Sequence, residues 1–571
     1  MPPFHLEPFH PVGLDAARLD ALIDHHETER LPRYDRYWRY FRNPAERVTE
    51  RDGRVARVRW RCAQASSLPS RLLDSPPGVA AKEIVVENDI AWRIETLIDY
   101  TVGREVRFAS RARAAETRDA IDALLAVLFD ANGGVEWLQQ AALLAAVYGH
   151  VDFLLRADHL FAFPANGGDH DHNYDPDTTP IETLDPPASA ESPVRVPSNP
   201  FLDDAALRAA SNLRLETVAA PRAIPLLHPH DFRRIDALIL RYRARRTTTT
   251  PSAPADAAAP RADHEAARTP SHSRSNPLAR FWSRAAATGP RPNDRFAASS
   301  SNPDAEFVQI TEILSADHRQ VYEDDTLILD RPNPLGVLPL AHTPNFTQPY
   351  RYEGVGEVEP LIPLQDELNI RLSDRANRIT MQSFRMFLGK GISEFDERPV
   401  GPGQMWTTDN TDASVESFGG DAASPSEDAH VREVREALDK ASAVTPLAAG
   451  LIRAKVGTLS SENALRISLL GLISKVERKR RVYARSLERL FAFALEALDR
   501  AGVFATDEAD RRVEVTWSAP IPETESERLE NALRKRDLGV PADRLLDELG
   551  YGAESADAAP PAPAALSIAT P

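Results

Sequence analysis

Between Ser460 and Gly502 the chain reads SSENALRISLLGLISKVERKRRVYARSLERLFAFALEALDRAG, about forty residues of nearly continuous helix. That is far longer than the average globular helix of about 11–12 residues. Gly471 lies inside this pattern and costs about 1 kcal/mol relative to alanine, so a bend or a close packing contact is expected there. The run KVERKRR supplies Lys475, Arg478, Lys479, Arg480 and Arg481, which at about 100° per residue cannot share one face. Charge runs on helices serve as solvated faces or as ion pairs with acidic segments nearby; contact with DNA is the other reading.

The run is set in an acidic chain of 571 residues with a formal net charge of −17. At that length one core rarely organises the whole, so two or more structural regions are expected. The 46 prolines against 21 phenylalanines indicate that part of the chain cannot bury enough apolar surface to offset ordering entropy. The clearest case is residues 245–302, where TTTTPSAPADAAAPRADHEAARTPSHSRS has almost no large apolar side chain and reads as a disordered insertion. Cys62 is the sole cysteine, which rules out an intrachain disulfide and any CxxC motif. The first twenty residues lack a basic segment followed by an apolar one, and the most apolar window, Leu138 to Leu155, is interrupted by Gln, His and Asp. The expectation is a soluble protein in a reducing setting, without a membrane partner.

Ahead of the long helix the order of parts is distinctive. An early amphipathic helix ends in the aromatic run Tyr34, Tyr37, Trp38, Tyr40 and Phe41, a docking face against core. AWRIETLIDYTVGREVRFAS gives a helix stopped by Gly103 and then a strand, and VEWLQQAALLAAVYGHVDFLL reads as a further helix. FVQITEIL, RQVYED and DTLILD alternate as an antiparallel meander. From Leu361 to Leu388 a helix places Leu361, Leu364, Leu368, Leu372, Ala376 and Ile379 in one apolar stripe. After a small excursion of turns and short strands comes VREVREALDKASAVTPLAAGLI, a helix that Pro446 is expected to kink.

This order resembles the phage portal protein family, in particular the portals of tailed phages with long, non-contractile tails. EGVGEVEPLIPLQDELNIRLSDRANRI is similar to the start of the family's first long stem helix, and GPGQMWTTD with ASVESFG resembles its clip excursion. SSENALRISLLGLISKVERKRRVYARSLERLF resembles the helix that follows the tunnel loop, with Glu462 and Asn463 where the family commonly carries glycine. ETESERLENALRKRDLGVPADRLLDELGY resembles the C-terminal crown. The resemblance covers residues 350–552 well and 1–100 weakly. It implies an α+β, mainly helical subunit: a wing over 1–350 with its insertion near 245–302, a first stem helix over 354–390 and a clip over 391–428. A second stem helix over 429–452, a tunnel loop over 453–460, a long kinked helix and wing return over 461–520, and a crown with a disordered tail over 521–571 complete it.

The resemblance also implies a function. Such subunits form a ring, usually of twelve, at one capsid vertex of the virion, assembled in the host cytoplasm. Double-stranded DNA is packaged and ejected through the channel. The implied partners are the terminase large subunit, the major capsid or scaffolding protein and a head–tail adaptor, with no cofactor. The channel candidates are Arg453 and Lys455 in the loop and Lys475 and Lys479 on the following helix; Pro446 and Gly471 are the candidate hinges. An acidic ring is coherent with this role, because each firmly neutralised phosphate adds salt-dependent binding that motion must break.

The competing signal is GGDHDHNYDPD, in which His170 and His172 stand among Asp169, Asp171, Asp175 and Asp177. This density can hold a divalent cation, so a metal-dependent hydrolase is the alternative function. Gly and Pro flank the loop, which lacks the supporting framework that catalysis needs. His25, His26 and Glu27 do not have HExxH spacing. Neither a GxxxxGK loop nor a GxSxG elbow occurs, so no enzymatic activity is expected and ATP hydrolysis has to come from another protein.

Overall fold

The computed structural model describes residues 14–52, 55–73, 82–161, 203–245, 307–324, 326–383, 386–391, 410–418, 424–450, 467–521 and 525–549. The chain divides into two compact units, Met1–Thr516 and Trp517–Pro571. The class is α+β, with several antiparallel sheets among the helices.

The larger unit starts with helix α1, Ala16–His25, whose first turn is capped by the Asp15 carboxylate accepting from the Arg18 amide at 2.7 Å. One π-type turn leads into α2, Leu31–Arg42, which buries Tyr34, Tyr37, Trp38, Tyr40 and Phe41, the docking face expected of the aromatic run. A hairpin follows, β1 Ala45–Asp52 and β2 Val55–Cys62, and then the short α3, Ser70–Leu73. Helix α4, Ala91–Val102, ends at Gly103, where any Cβ would collide with the Asp99 carbonyl, and β3, Val106–Ser110, begins. Helices α5, Ala115–Ala131, and α6, Gly134–Tyr148, come next.

The apolar run after α6 departs from the sequence reading, which continued the helix to Leu155. Gly149 is in the left-handed region at φ +98, caps α6, and hands over to strand β4, His150–Arg156. Side chains on both faces of β4 are buried, so the run carries no alternation to distinguish it from a buried helix. Among the described residues no helix is long and apolar enough to cross a membrane.

After α7, Asp204–Asn212, come β5, Arg214–Ala219, β6, Ala223–His228, β7, Asp231–Arg245, β8, Phe307–Ser315, β9, His318–Glu323, β10, Thr326–Pro332, and β11, Leu340–Pro344. The three segments read as a meander are β8, β9 and β10, and they form one antiparallel sheet in the order β10-β9-β8-β7-β6. Period-two alternation puts Ala237 and Ile239 of β7 against Leu19 and Ile23 of α1. Leu238 and Leu240 face the opposite way, onto Leu154, Val218 and Leu340 of the second sheet, β11-β4-β5. The insertion leaves from the end of the β7–β8 ladder, where Arg245 and Phe307 are direct partners.

Helix α8, Ile362–Ser383, is the candidate first stem helix, and its buried side coincides only in part with the apolar stripe expected from the sequence. Leu361 and Leu368 are buried, but Leu364, Leu372 and Ala376 are half-buried and Ile379 is exposed. Gln365, Asn369 and Ser373, which lie off that stripe, are as fully buried as Leu368. With Asn377 they form a polar ladder that grips the extended segment 83–89. The amides of Asp89, Glu87, Val85 and Glu83 donate to Gln365 Oε1, Asn369 Oδ1, Ser373 Oγ and Asn377 Oδ1 at 3.0, 3.0, 3.0 and 2.8 Å. In return Gln365 Nε2, Ser373 Oγ and Asn377 Nδ2 donate to the carbonyls of Glu87, Val85 and Glu83. The spacings match: four helical residues rise about 6.0 Å and two strand residues about 6.6 Å.

Strands β12, Met386–Lys390, and β13, Ser414–Phe418, pair antiparallel between α8 and α9, Pro425–Ser442. Helix α9 stops at Ser442 with Ala443 in the left-handed region at φ +57. Pro446 therefore does not kink it, as expected from sequence, but lies in a turn beyond its end, where a residue that cannot continue a helix is commonly found. The long helix α10 runs from Leu470 to Arg500, and β14, Val513–Trp517, pairs with β3.

In the smaller unit α11, Glu525–Asp537, and α12, Ala542–Leu549, are joined through Gly539 at φ +89. Leu545 is buried there, while Leu529, Leu533, Leu538 and Leu546 are exposed.

Candidate functional site

The basic run KVERKRR lies in the first half of α10, and its members divide by helical phase. Lys475, Lys479 and Arg480 are buried, whereas Arg478 and Arg481 are exposed. Lys475 and Lys479, the channel candidates on this helix, turn both ammonium groups into the protein.

Their common partner is Glu357, in the segment between β11 and α8. Lys475 Nζ lies 2.6 Å from Glu357 Oε2, and Lys479 Nζ lies 3.0 Å from Oε1. Lys475 also donates to the Ser442 carbonyl at the end of α9, at 2.6 Å, and Lys479 donates to Asn345 Oδ1. The Phe346 ring lies 5.3 Å from the Lys475 ammonium, 5.1 Å from that of Lys479 and 5.6 Å from the Arg478 guanidinium. Burial pushes the Glu357 carboxyl up, but Lys479 and Lys475 outweigh it and hold the pKa below the usual carboxylate range. Burial lowers the Lys479 pKa, Glu357 opposes this, and the second ammonium adds to the lowering. Two cations share one carboxylate, so the cluster carries excess positive charge and depends on that carboxylate.

Arg480 is used differently. Its Nε donates to the Thr101 carbonyl at 2.9 Å and an Nη to the Tyr100 carbonyl at 3.0 Å, both in the last turn of α4. A cation there satisfies carbonyls that have no partner within the helix and offsets the negative end of its dipole. Val444 and Leu97 pack with Leu472 and Val476 of α10 beside it. The start of the long helix is thereby fixed to α4, to the end of α9 and to the 345–357 segment.

Gly471 is the second residue of α10, exposed, with nothing within 4 Å of an added Cβ. Close packing does not explain it, but a break in the helix does adjoin it, since Leu469 at φ −99, ψ 4 is its N-cap. Arg453 and Lys455 lie outside the described residues, as do His170, His172 and the acidic residues around them. Among the described residues no group of three or more His, Cys, Asp and Glu side chains could hold a metal ion.

One further buried cluster joins β4, β11 and the 345–357 segment. His342 Nδ1 is 2.7 Å from Asp152 Oδ1 and its Nε2 is 2.9 Å from the Tyr352 carbonyl, while the Tyr352 hydroxyl donates to Asp152 at 2.9 Å. Both His342 nitrogens are occupied, which leaves none to act as a base. Burial would raise the Asp152 pKa, but His342, His150 and the Tyr352 hydroxyl bring it down. The backbones of Gly149 and Gly354 touch beside this cluster so closely that a Cβ on either would overlap the other's carbonyl.

Sequence reasoning missed Glu357, Asn345 and Phe346. Their only signal is an acidic residue two positions before a 3-10 turn, which no periodicity marks.

Residues 300–542 match the family of phage portal proteins described as SPP1 Gp6-like. The matched stretch holds Glu357, Lys475, Lys479, the ladder side chains of α8 and the β12–β13 ribbon; residues 1–299, which include the 83–89 segment, lie outside it. None of the curated proteins matches the chain.

Proposed function

We propose that the chain is a portal subunit, which closes into a ring and forms a channel for double-stranded DNA at a capsid vertex. The observation that carries this is the match over residues 300–542, which takes in a helix, a two-stranded ribbon, a second helix and the long α10 in that order. On this reading the DNA path is lined by the loop that holds Arg453 and Lys455. Lys475 and Lys479 hold the base of that loop through Glu357 and leave the DNA contact to other cations. A ring of twelve, docking of the terminase large subunit and of a head–tail adaptor, contact with capsid or scaffolding protein, and residence in the virion belong to the same reading. It requires no active site in this chain.

Negative-stain imaging and light scattering of the purified protein test it. Rings with an axial hole are expected, and a strictly monomeric mass across concentration and salt would remove the reading.

A further inference from the structure

The polar ladder of α8 saturates one edge of an extended segment and leaves the other edge open. In a strand the N–H and C=O of alternate residues point to opposite sides. Glu83, Val85 and Glu87 direct both groups at α8. Ile84 and Val86 direct theirs away, and among the described residues those groups have no hydrogen-bond partner. Their side chains pack onto Leu68 and Leu72, which fixes the strand in place. The segment is a single extended strand held by a helix, with one row of donors and acceptors unused among the described residues. Proteins ordinarily cover such an edge.

A second feature lacks what the first offers. Among the described residues strands β1 and β2 form a sheet of two with no third strand, which leaves the outer edge of each without a backbone partner there. A two-stranded ribbon is marginal in water without a further strand or a packed face. Trp60 on β2 is 70% exposed. Residues 45–62 carry six arginines against three carboxylates, a net +3 in a chain of net −17. Residues 82–89, KEIVVEND, carry one lysine against three carboxylates, but Glu87 is paired with Arg435 and the buried Asp89 with Arg93 inside the subunit, so the segment offers no uncompensated cation to repel the basic hairpin.

We infer that the β1–β2 hairpin of one copy adds to the open edge at Ile84 and Val86 of a second copy, extending one β-sheet across the subunit boundary. The pairing is head-to-tail, since hairpin and edge are different surfaces of the same chain, and such an interface repeats around a ring. This rests on the ring-forming reading for its partner, and on the two open edges, one short and fixed by α8 and one on a ribbon that lacks a third strand among the described residues, for its location.

The test uses two variants of the full chain and their mixture. In one, residues 46–61 are replaced by Asn-Gly, which joins the directly paired Ala45 and Cys62. In the other, Ile84→Pro and Val86→Pro remove the outer amides and leave the inner ladder. Each variant alone should lose closed rings, and the mixture should form a one-to-one pair that grows no further. Either variant closing rings as the unaltered chain does, or a mixture that stays monomeric, overturns the inference. Hydrogen exchange on the unaltered protein needs no variant: the Ile84 and Val86 amides should lose exchange on assembly, while those of Glu83, Val85 and Glu87 are slow before and after. Rings in which the Ile84 and Val86 amides still exchange freely overturn the inference and leave the ring standing, whereas an unaltered chain that never assembles overturns both.

Discussion

The Nζ of Lys475 stands 2.6 Å from Oε2 of Glu357, 118 residues away in the chain, and both side chains are buried. The pair binds the start of the long helix to the segment that leads into α8. Because Lys479 draws on the same carboxylate, removing the three members one at a time has unequal consequences.

Glu357→Gln leaves two buried ammonium groups with no counter-charge and should cost about 3–5 kcal/mol of stability. Lys475→Met leaves one cation facing one carboxylate and should cost clearly less. Urea or thermal melts of the two variants measure the order. Equal losses would mean that the cluster is not held by its single negative charge.

The ladder makes a prediction that runs against ordinary patterning. Asn369→Leu puts an apolar side chain at a fully buried helix position, yet it strands the Glu87 amide and the Gln64 side-chain oxygen, each now bonded to Asn369 at 3.0 Å. Each unsatisfied buried group costs about 1–3 kcal/mol. Ile379→Ala, on the stripe that the sequence favoured, removes a side chain that is already exposed and should change stability by less than about 1 kcal/mol. Melting temperatures of the two variants decide between the faces.

These two cases show what kind of information the sequence carries. Alternation and glycine stops were legible, because β8 and β9 bury apolar side chains in a core, β10 packs the partly buried Leu327, Ile328 and Leu329 against it, and Gly103 has no room for a Cβ. The polar part of the buried side of α8 was not, since a periodicity argument assigns Gln, Asn and Ser to solvent, and only the position of segment 83–89 shows that they replace a strand. The burial of Lys475 and Lys479 was hidden for the same reason: Glu357 is distant in sequence, and a charge run reads as a wet face until its partner is seen. The end of α9 at Ser442 was missed because Pro446, which the chain places just after a helix, looks from composition like a kink within one.

Acid should destabilise the larger unit in two stages. Burial pushes His150 down to about 3, with Asp152 opposing and His342, Arg30 and His26 assisting, so the unfolded chain binds a proton there that the folded one refuses. His26, also lowered by burial, behaves the same way. Stability contributed by both is complete above the unfolded histidine value near 6.5 and is lost as pH falls below it, with a limiting slope of about 1.4 kcal/mol per pH unit for each proton. The depressed carboxyls of Asp152 and Glu357 act lower, being lost only as pH drops below the ordinary carboxylate range. Unfolding free energies measured from pH 7 to 4 should therefore begin to fall near 6.5, and His150→Gln should flatten the first stage. A curve that is flat down to pH 4.5 would contradict the burial of neutral histidine.

Replacing residues 246–306 by a short turn should leave the cooperative melt nearly unchanged. Arg245 and Phe307 already face each other at the end of the β7–β8 ladder, so a tight connection closes a hairpin that exists. A lost or broadened transition by calorimetry would show that the insertion contributes to the core.

The last prediction concerns Arg453 and Lys455, which follow Gly450 and precede α10. The body of α10 is fixed by Glu357, by the carbonyls of α4 and by Val444, so replacing Arg453 and Lys455 leaves each of those contacts in place. If that loop lines the DNA path, Arg453→Glu with Lys455→Glu places two negative charges per subunit where phosphates pass. Ring assembly should survive, because the cluster that fixes α10 is untouched, and DNA filling should fall. Repulsion of this kind weakens with salt, over a Debye length of about 8 Å at physiological ionic strength and shorter above it, so part of the filling should return as salt is raised. An in vitro packaging assay with heads built from the double variant reads both effects. Normal filling would take these two residues out of the DNA path, and failure to form rings would place them in a subunit interface instead.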